Sequence, residues 1–249
     1  MRLEDARARI AAQADDAARR AAADVWLDNE GDPRALEQAA RRTWHERLQP
    51  FADNLRSGTR STLRTPVLTP PDPSWPAQAD RLAARLRHAG GEAVVRVDHV
   101  GSTSVPGLPA KDVVDLQVGV RSLADADDPR VVDRLAAMGF PRVGSIREDR
   151  STDGTPRPKR VHGSCDPGRV AHVHVREVGS TGWELALLFR DWLRADAAAR
   201  DEYAAVKQDL AARLATTTEY AEAKEPWFDD AWPRARAWAA RTGWVPPDA

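Results

Sequence analysis

Two β-branched runs joined by a turn of small residues sit in the middle of this chain and restrict what it can become. Val94 to Val100 and Val113 to Val120 read as buried strands. Between them stand Gly101-Ser102-Thr103-Ser104, then Val105-Pro106-Gly107-Leu108 and Lys111. A strand that runs straight into such a turn presents bare backbone N–H groups and hydroxyls to an anion. Gly101 permits close approach, and Ser102, Thr103 and Ser104 supply capping oxygens for whatever follows. Lys111 offers phosphate a point charge, where its ordinary role is that of a solvated lysine. Asp115 lies in an apolar setting, and a carboxylate there has to be paired, hydrogen-bonded or on a metal. Magnesium or manganese, as hard cations, take carboxylate oxygen.

The remaining sequence frames this segment. At 249 residues and 42% apolar content, the chain can build one large or two small domains with a proper core. Charged residues make up 30%, but the two signs nearly cancel to −1, so nothing global attracts nucleic acid or a membrane. No apolar run approaches the ~20 residues of a membrane span. The first residues, MRLEDARARI, lack the apolar core of a signal peptide. Cys165 is alone, which excludes a disulfide framework and a thiolate metal cluster and fits a reducing cytoplasm.

Taken in order, residues 3 to 22 read as one helix with Leu3, Ile10 and alanines on its apolar side. Residues 23 to 27 read as a short strand and 28 to 33 as a turn. Pro33 opens another helix, with Leu36, Ala39, Ala40, Trp44, Leu48 and Phe51 on one face. Residues 1–57 are thus a helical arm without its own core, 58–66 a linker, and 67–249 a domain. Its expected fold class is α/β, a mixed sheet flanked by helices. Val67-Leu68 could place an edge strand among prolines. Helices are expected over 75–88, 131–138, 183–194, 197–214 and 218–241, and strands over 140–146, 160–163 and 170–178. Residues 147–159, with Asp153-Gly154, read as a hairpin or mobile loop. The nine tryptophans fall on helix faces and read as core.

His172-Val173-His174 places two imidazoles on one strand face. With Asp115 on a neighbouring strand and His99 beside the turn, they form a candidate cluster for zinc, manganese or iron, with Glu177 outside it. Lys159 and Arg160, in a basic loop, could close over phosphate. Arg190 could reach phosphate, or pair with Asp191 or Glu184. Cys165 has no clear nucleophile context.

The run His99-Val100-Gly101-Ser102-Thr103-Ser104-Val105-Pro106-Gly107-Leu108, with Lys111 and Asp115, resembles the signature of the GrpB family. The His-x-His pair, Leu187 to Arg194 and Tyr220-x-x-x-Lys224 are similar to GrpB proteins too, so the resemblance runs from about Val67 to the end. It implies a nucleotidyltransferase-like fold. Nucleotidyltransferases bind a triphosphate and its magnesium with Gly-Ser followed by Asp-hydrophobic-acid. The resemblance therefore implies a divalent metal, a nucleotide such as ATP or another phosphorylated ligand, and nucleotidyl or phosphoryl transfer with Asp115 and Lys111 as catalytic residues. The second acid is Gln117 here, on the same strand face but without charge. Two other readings follow: a non-catalytic accessory domain of a kinase, and a metal-dependent hydrolase using the His-x-His strand.

The first 55 or so residues are similar to the carboxy-terminal end of dephospho-CoA kinase, in Arg9-Ile10-Ala11-Ala12-Gln13 and in Ala23 to Gly31. No Gly-x-x-x-x-Gly-Lys-Ser/Thr occurs, so the kinase phosphate loop is absent and kinase activity is not expected from this chain alone. The arrangement resembles the tail of actinobacterial fusions of a kinase to a GrpB-like domain. That implies a dephospho-CoA kinase domain as partner and coenzyme A synthesis as setting.

Overall fold

A computed structural model describes residues 3–151 and 154–247, which pack as two compact units, 1–43 and 44–249. The first unit holds α1 (Leu3–Ala12), α2 (Asp16–Ala22) and α3 (Pro33–Thr43). The single helix expected over 3–22 is broken. Asp15 accepts a hydrogen bond from the Ala18 N–H at 2.7 Å and so starts α2 afresh. The side chains of Leu3 and Ile10 lie outside the described residues. Residues 23–27 form no strand: Trp26 and Arg20 both donate to Asp28, and the Arg20 guanidinium lies over the Trp26 ring. Such local side-chain bonds compete with strand pairing.

The second unit opens with one turn of π-helix, Trp44–Leu48, and α4 (Gln49–Ser57). Asn54 donates to the Cys165 carbonyl at 2.9 Å, and Arg47 pairs with Asp166 at 2.7 Å. Within 58–66, Ser61 is buried and its N–H donates to the Ser164 carbonyl at 2.7 Å. This stretch is thereby pinned to the 164–166 loop.

The fold is the expected mixed α/β sheet flanked by helices. Its strands, β1 (Val94–Val100), β2 (Val114–Val120), β3 (Arg160–Gly163) and β4 (Ala171–Glu177), lie in the order β1-β2-β4-β3. β1 and β2 are antiparallel, β2 and β4 parallel, β3 and β4 antiparallel. Residues 140–146 make only a single bridge, Arg142 to His162, and do not extend into a strand. Likewise the edge strand expected at 67–68 is reduced to one bridge, Thr69 to Ala110. Prolines at 66, 70 and 71 remove the donors that a longer ladder needs. Residues 147–159 are a hairpin, tied by Asp149 N–H to Arg157 (2.9 Å) and Lys159 N–H to Arg147 (2.7 Å). Asp153, expected in its turn, lies outside the described residues.

One sheet face is apolar. Val114, Leu116, Val118 and Val120 of β2 with Ala171, Val173 and Val175 of β4 form a core beneath α5 (Trp75–Gly90), α6 (Leu123–Asp127) and α7 (Pro129–Ala137). The opposite face is polar and meets α8 (Thr181–Ala195). A second core joins α8, α9 (Ala197–Arg213) and α11 (Glu225–Thr242) through Leu188, Phe189, Trp192, Tyr203 and Trp227. The helix expected over 218–241 is two, α10 (Thr217–Ala223) and α11, because Pro226 lacks the N–H for a continuous helix and suits a first turn. Leu116 is 0% exposed at the centre of the sheet. Leu116→Ala is expected to lower unfolding free energy by about 2–5 kcal/mol in urea denaturation. A change below about 1 kcal/mol would mean that this face is not the packed core.

Candidate functional site

Residues paired directly across strands share a sheet face. The polar face is therefore three rows: Val100, Asp115, His172 and Gly163; then Asp98, Gln117, His174 and Val161; then Arg96, Gly119 and Arg176. Asp115, His172 and His174 come together as expected. The Asp115 Oδ1 lies 3.3 Å from His172 Nδ1 and 3.7 Å from His174 Nε2. Burial pushes the Asp115 pKa up, but the two imidazoles outweigh it and hold the carboxyl well below its usual range. Burial brings His174 down to about 4, so at neutral pH this ring is uncharged.

The structure does not bring His99 to that cluster. His99 pairs with Leu116, on the opposite face, and its Nε2 lies 2.9 Å from Thr103 Oγ1. Burial lowers its pKa to about 4. Glu177 is also elsewhere, accepting from the Leu123 N–H at 2.8 Å at the start of α6.

The turn after β1 supplies fewer ligand groups than its sequence offers. Thr103 is buried, with its hydroxyl donating to the Val113 carbonyl at 3.4 Å; Ser104 donates back to the Gly101 carbonyl at 2.6 Å. Ser104 thus closes the turn itself, and Thr103 ties it to the residue before β2. Ser102 remains at the cavity, hydrogen-bonded to Tyr203. Gly101 has φ +69°, and a Cβ on it would stand 2.7 Å from Asp115 Oδ2. Only glycine lets the turn's bare backbone press against the carboxylate.

Gln117 is 0% exposed and fully engaged. Its amide N–H donates to the Trp183 carbonyl at 3.1 Å, and its oxygen accepts from Arg176 at 2.7 Å. Arg176 in turn grips Asp149 with two bonds of 2.8 and 3.0 Å. Lys159 closes the other side of Asp149, whose pKa burial would raise but Arg176 and Lys159 drive well below the carboxylate range. Lys159 is thus committed to a carboxylate, and Arg160 pairs with Asp127 on the far face of the sheet, next to Val175. Neither closes over the site. Arg190 bonds Asp191 at 2.7 Å, sits 3.7 Å from Asp98, and still lines the cavity. Lys111 stands over the Tyr220 ring, and burial lowers its pKa.

The cavity itself holds about 370 Å³. Gly101, Ser102, Asp115 and His174 form its floor, Arg176, Arg190 and Lys224 its charged flank, and Phe189, Phe228 and Trp232 an aromatic wall. Several of these were missed in the sequence. Arg176 continues the alternation of His172 and His174 and was legible by that rule. Asp149 arrives on an irregular hairpin with no periodic signal, and Trp232 packs on the second core as expected while also bordering the cavity.

These donors do not fit the implied metal. Among the described residues, no three His, Cys, Asp or Glu side chains group so as to hold a metal ion. Both imidazoles are turned to one Asp115 oxygen, and the position of the second acid is an amide saturated by Arg176 and a backbone carbonyl. No helix among the described residues is long and apolar enough to cross a membrane.

A mixed sheet that ends its first strand in Gly-Ser, with Asp115 beside it and a helical layer over the polar face, defines the class. The model of the GrpB protein family matches residues 65–234, and the chain belongs to that family. The crystal structure of GrpB from Enterococcus faecalis is similar at a TM-score of 0.58 and 26% identity, covering 69% of this chain and 99% of that one. A UPF0157 protein of Halalkalibacterium halodurans is 37% identical over 67% of this chain and 80% of its own length. A protein named dephospho-CoA kinase from Mycolicibacterium paratuberculosis is 52% identical over 97% of this chain. The chain spans only 63% of that relative's length.

The histidines set a pH dependence. His99 and His174 titrate near 4 when folded, against about 6.5 in an unstructured chain. Between those values the unfolded chain binds protons that the folded chain refuses, so stability falls as pH drops from about 6.5 to 4. The depressed Asp115 and Asp149 extend the loss below about pH 4, where the unfolded carboxylates protonate first. Melting temperature is expected to fall across this range, and His174→Gln to flatten the upper part of the fall. A profile unchanged by the substitution would remove His174 as a contributor.

Proposed function

We propose that the 44–249 unit is a nucleotidyltransferase-like module that binds a nucleotide or another phosphorylated small molecule in this cavity. One observation carries the reading: a single cavity joins the Gly101–Ser102 turn and the cations Arg190 and Lys224 to the aromatic wall of Phe189, Phe228 and Trp232. Hydroxyl, bare backbone and cations suit phosphate, and an aromatic wall suits a base. Binding in this reading runs through those groups and not through a resident metal. Longer relatives named dephospho-CoA kinase lead us to propose that the module serves such a kinase in coenzyme A synthesis, in a cytoplasm that suits the lone Cys165.

A second reading has its own support. Gln117, buried and saturated where a transferase needs an acid, favours a non-catalytic module that acts as an accessory domain of the kinase. The third, a metal-dependent hydrolase built on His172 and His174, has no comparable support.

Thermal shift separates them. ATP, AMP, dephospho-CoA and CoA are compared, each alone and with magnesium, manganese or zinc. A ligand at a hundred times its Kd is expected to stabilise by about 2.7 kcal/mol, and Ser102→Ala and Trp232→Ala to abolish the shift. A shift unaffected by both variants would place binding outside this cavity and sink the proposal. Silence with every nucleotide leaves the accessory reading, and a shift with zinc alone, lost in His172→Ala, leaves the hydrolase.

A further inference from the structure

The last described residues of the chain are tied to an arginine that lines the cavity. Gly243 ends α11 in the left-handed conformation, φ +66°, and turns the chain toward α8 and β1. The Trp244 ring packs against Val100, Trp183 and Leu187, and its indole N–H donates to Asp191 Oδ2 at 3.1 Å. Three residues on, the Pro247 carbonyl accepts from Arg96 Nη1 at 2.8 Å. Both contacts lie beyond residues 65–234, the span matched to the GrpB family.

These contacts lead to the two carboxylates that flank Arg190. Asp191 takes Arg190 Nε and Nη2 at 2.7 and 3.1 Å, while Arg194 approaches it only to 3.5 Å. Trp244 bonds the same Oδ2 that receives Nη2, and so fixes the tilt of this carboxylate against the guanidinium. On the other side, Asp98 Oδ1 lies 3.7 Å from Arg190 Nη1. Arg96 grips Asp98 through both oxygens, at 2.7 and 2.5 Å, and spends its third nitrogen on Pro247. Bidentate pairing of this kind fixes the plane of a carboxylate. The side chains of Arg190 and Asp98 are only 11% and 8% exposed, so water does not freely replace a lost partner. A guanidinium carries its donors in one rigid plane, so orienting its carboxylates decides which donors are left for the cavity that Arg190 lines.

We propose that residues 243–247 form a positioning strap for Arg190. Trp244 through Asp191, and Arg96 through Asp98, aim the unspent donors of Arg190 into the cavity. Both are positioning residues: they act through a carboxylate and not on the ligand. The proposal rests on the reading of this cavity as an anion site, and it makes the cavity's affinity depend on a segment outside it.

Nitrogen-15 NMR of the full chain tests it by following the Arg190 Nε–H, assigned by its loss in Arg190→Lys. The Arg176 Nε–H, bonded to Asp149, is the internal reference. Trp244→Phe keeps an aromatic ring in its seat and removes the indole N–H; Trp244→Tyr replaces it if that variant misfolds. Solvent exchange of the Arg190 Nε–H is expected to quicken at least about tenfold in the variant. Exchange at Arg176 is expected to stay unchanged, whereas a general loss of packing would quicken both. In titration calorimetry at fixed salt, AMP and ATP are each expected to bind the variant about tenfold more weakly than the wild type. Unchanged exchange at Arg190 would overturn the strap and leave the proposed function standing. Faster exchange with unaltered affinity would overturn the link from strap to binding. A wild type that binds neither nucleotide, with exchange still faster in the variant, would remove the functional reading and keep the strap as what orients Arg190.

Discussion

The guanidinium of Arg176 holds the polar half of this molecule together. It projects from β4, accepts the 147–159 hairpin through both Asp149 oxygens, and donates to Gln117 at the centre of β2. A buried guanidinium needs most of its donors satisfied, and its planar fork matches a carboxylate on one side and an amide oxygen on the other. The hairpin contributes little apolar burial of its own. Its position over the sheet therefore follows from this charge pair, from Lys159, which closes the same carboxylate, and from Arg150, which pairs with Glu225 and Asp229.

That interaction also fixes what the site can do. With Asp149 occupied and Gln117 saturated, Asp115 faces the cavity beside the Gly101 turn. Its partners are two imidazoles, of which His174 is neutral at physiological pH. The donors that an acid pair would need for two metal ions are therefore spent on protein partners.

The sequence made the centre of the fold readable because two rules act there at once. β-branched alternation marked β1, β2 and β4, and the same period placed Asp115, Gln117, His172 and His174 on one face. Extended one step further, it also reaches Arg176. The same rule, applied to His99, puts it on the other face, and proximity in sequence to Ser102 was the misleading cue. Thr103 and Ser104 look like ligand groups but bond backbone carbonyls, Ser104 within the turn and Thr103 at Val113. Asp149 and Trp232 are set by tertiary packing, and no local pattern announces them. Lys159 and Arg160 read as free cations because their partners, Asp149 and Asp127, are remote in sequence. The strand expected at 23–27 failed because side-chain bonds around Asp28 took the place of a neighbouring strand.

The cavity draws its walls from segments as far apart as Val100 and Trp232, on strands, the hairpin and three helices. No short stretch of the chain carries the site by itself. The cavity exists only in the completed second unit, and its loss should track cooperative unfolding and not the melting of any one element. Conversely, a molecule that fills the space ties strand, hairpin and helix layers to one another. Occupancy then raises the stability of parts of the fold that the occupant never touches, by mass action alone.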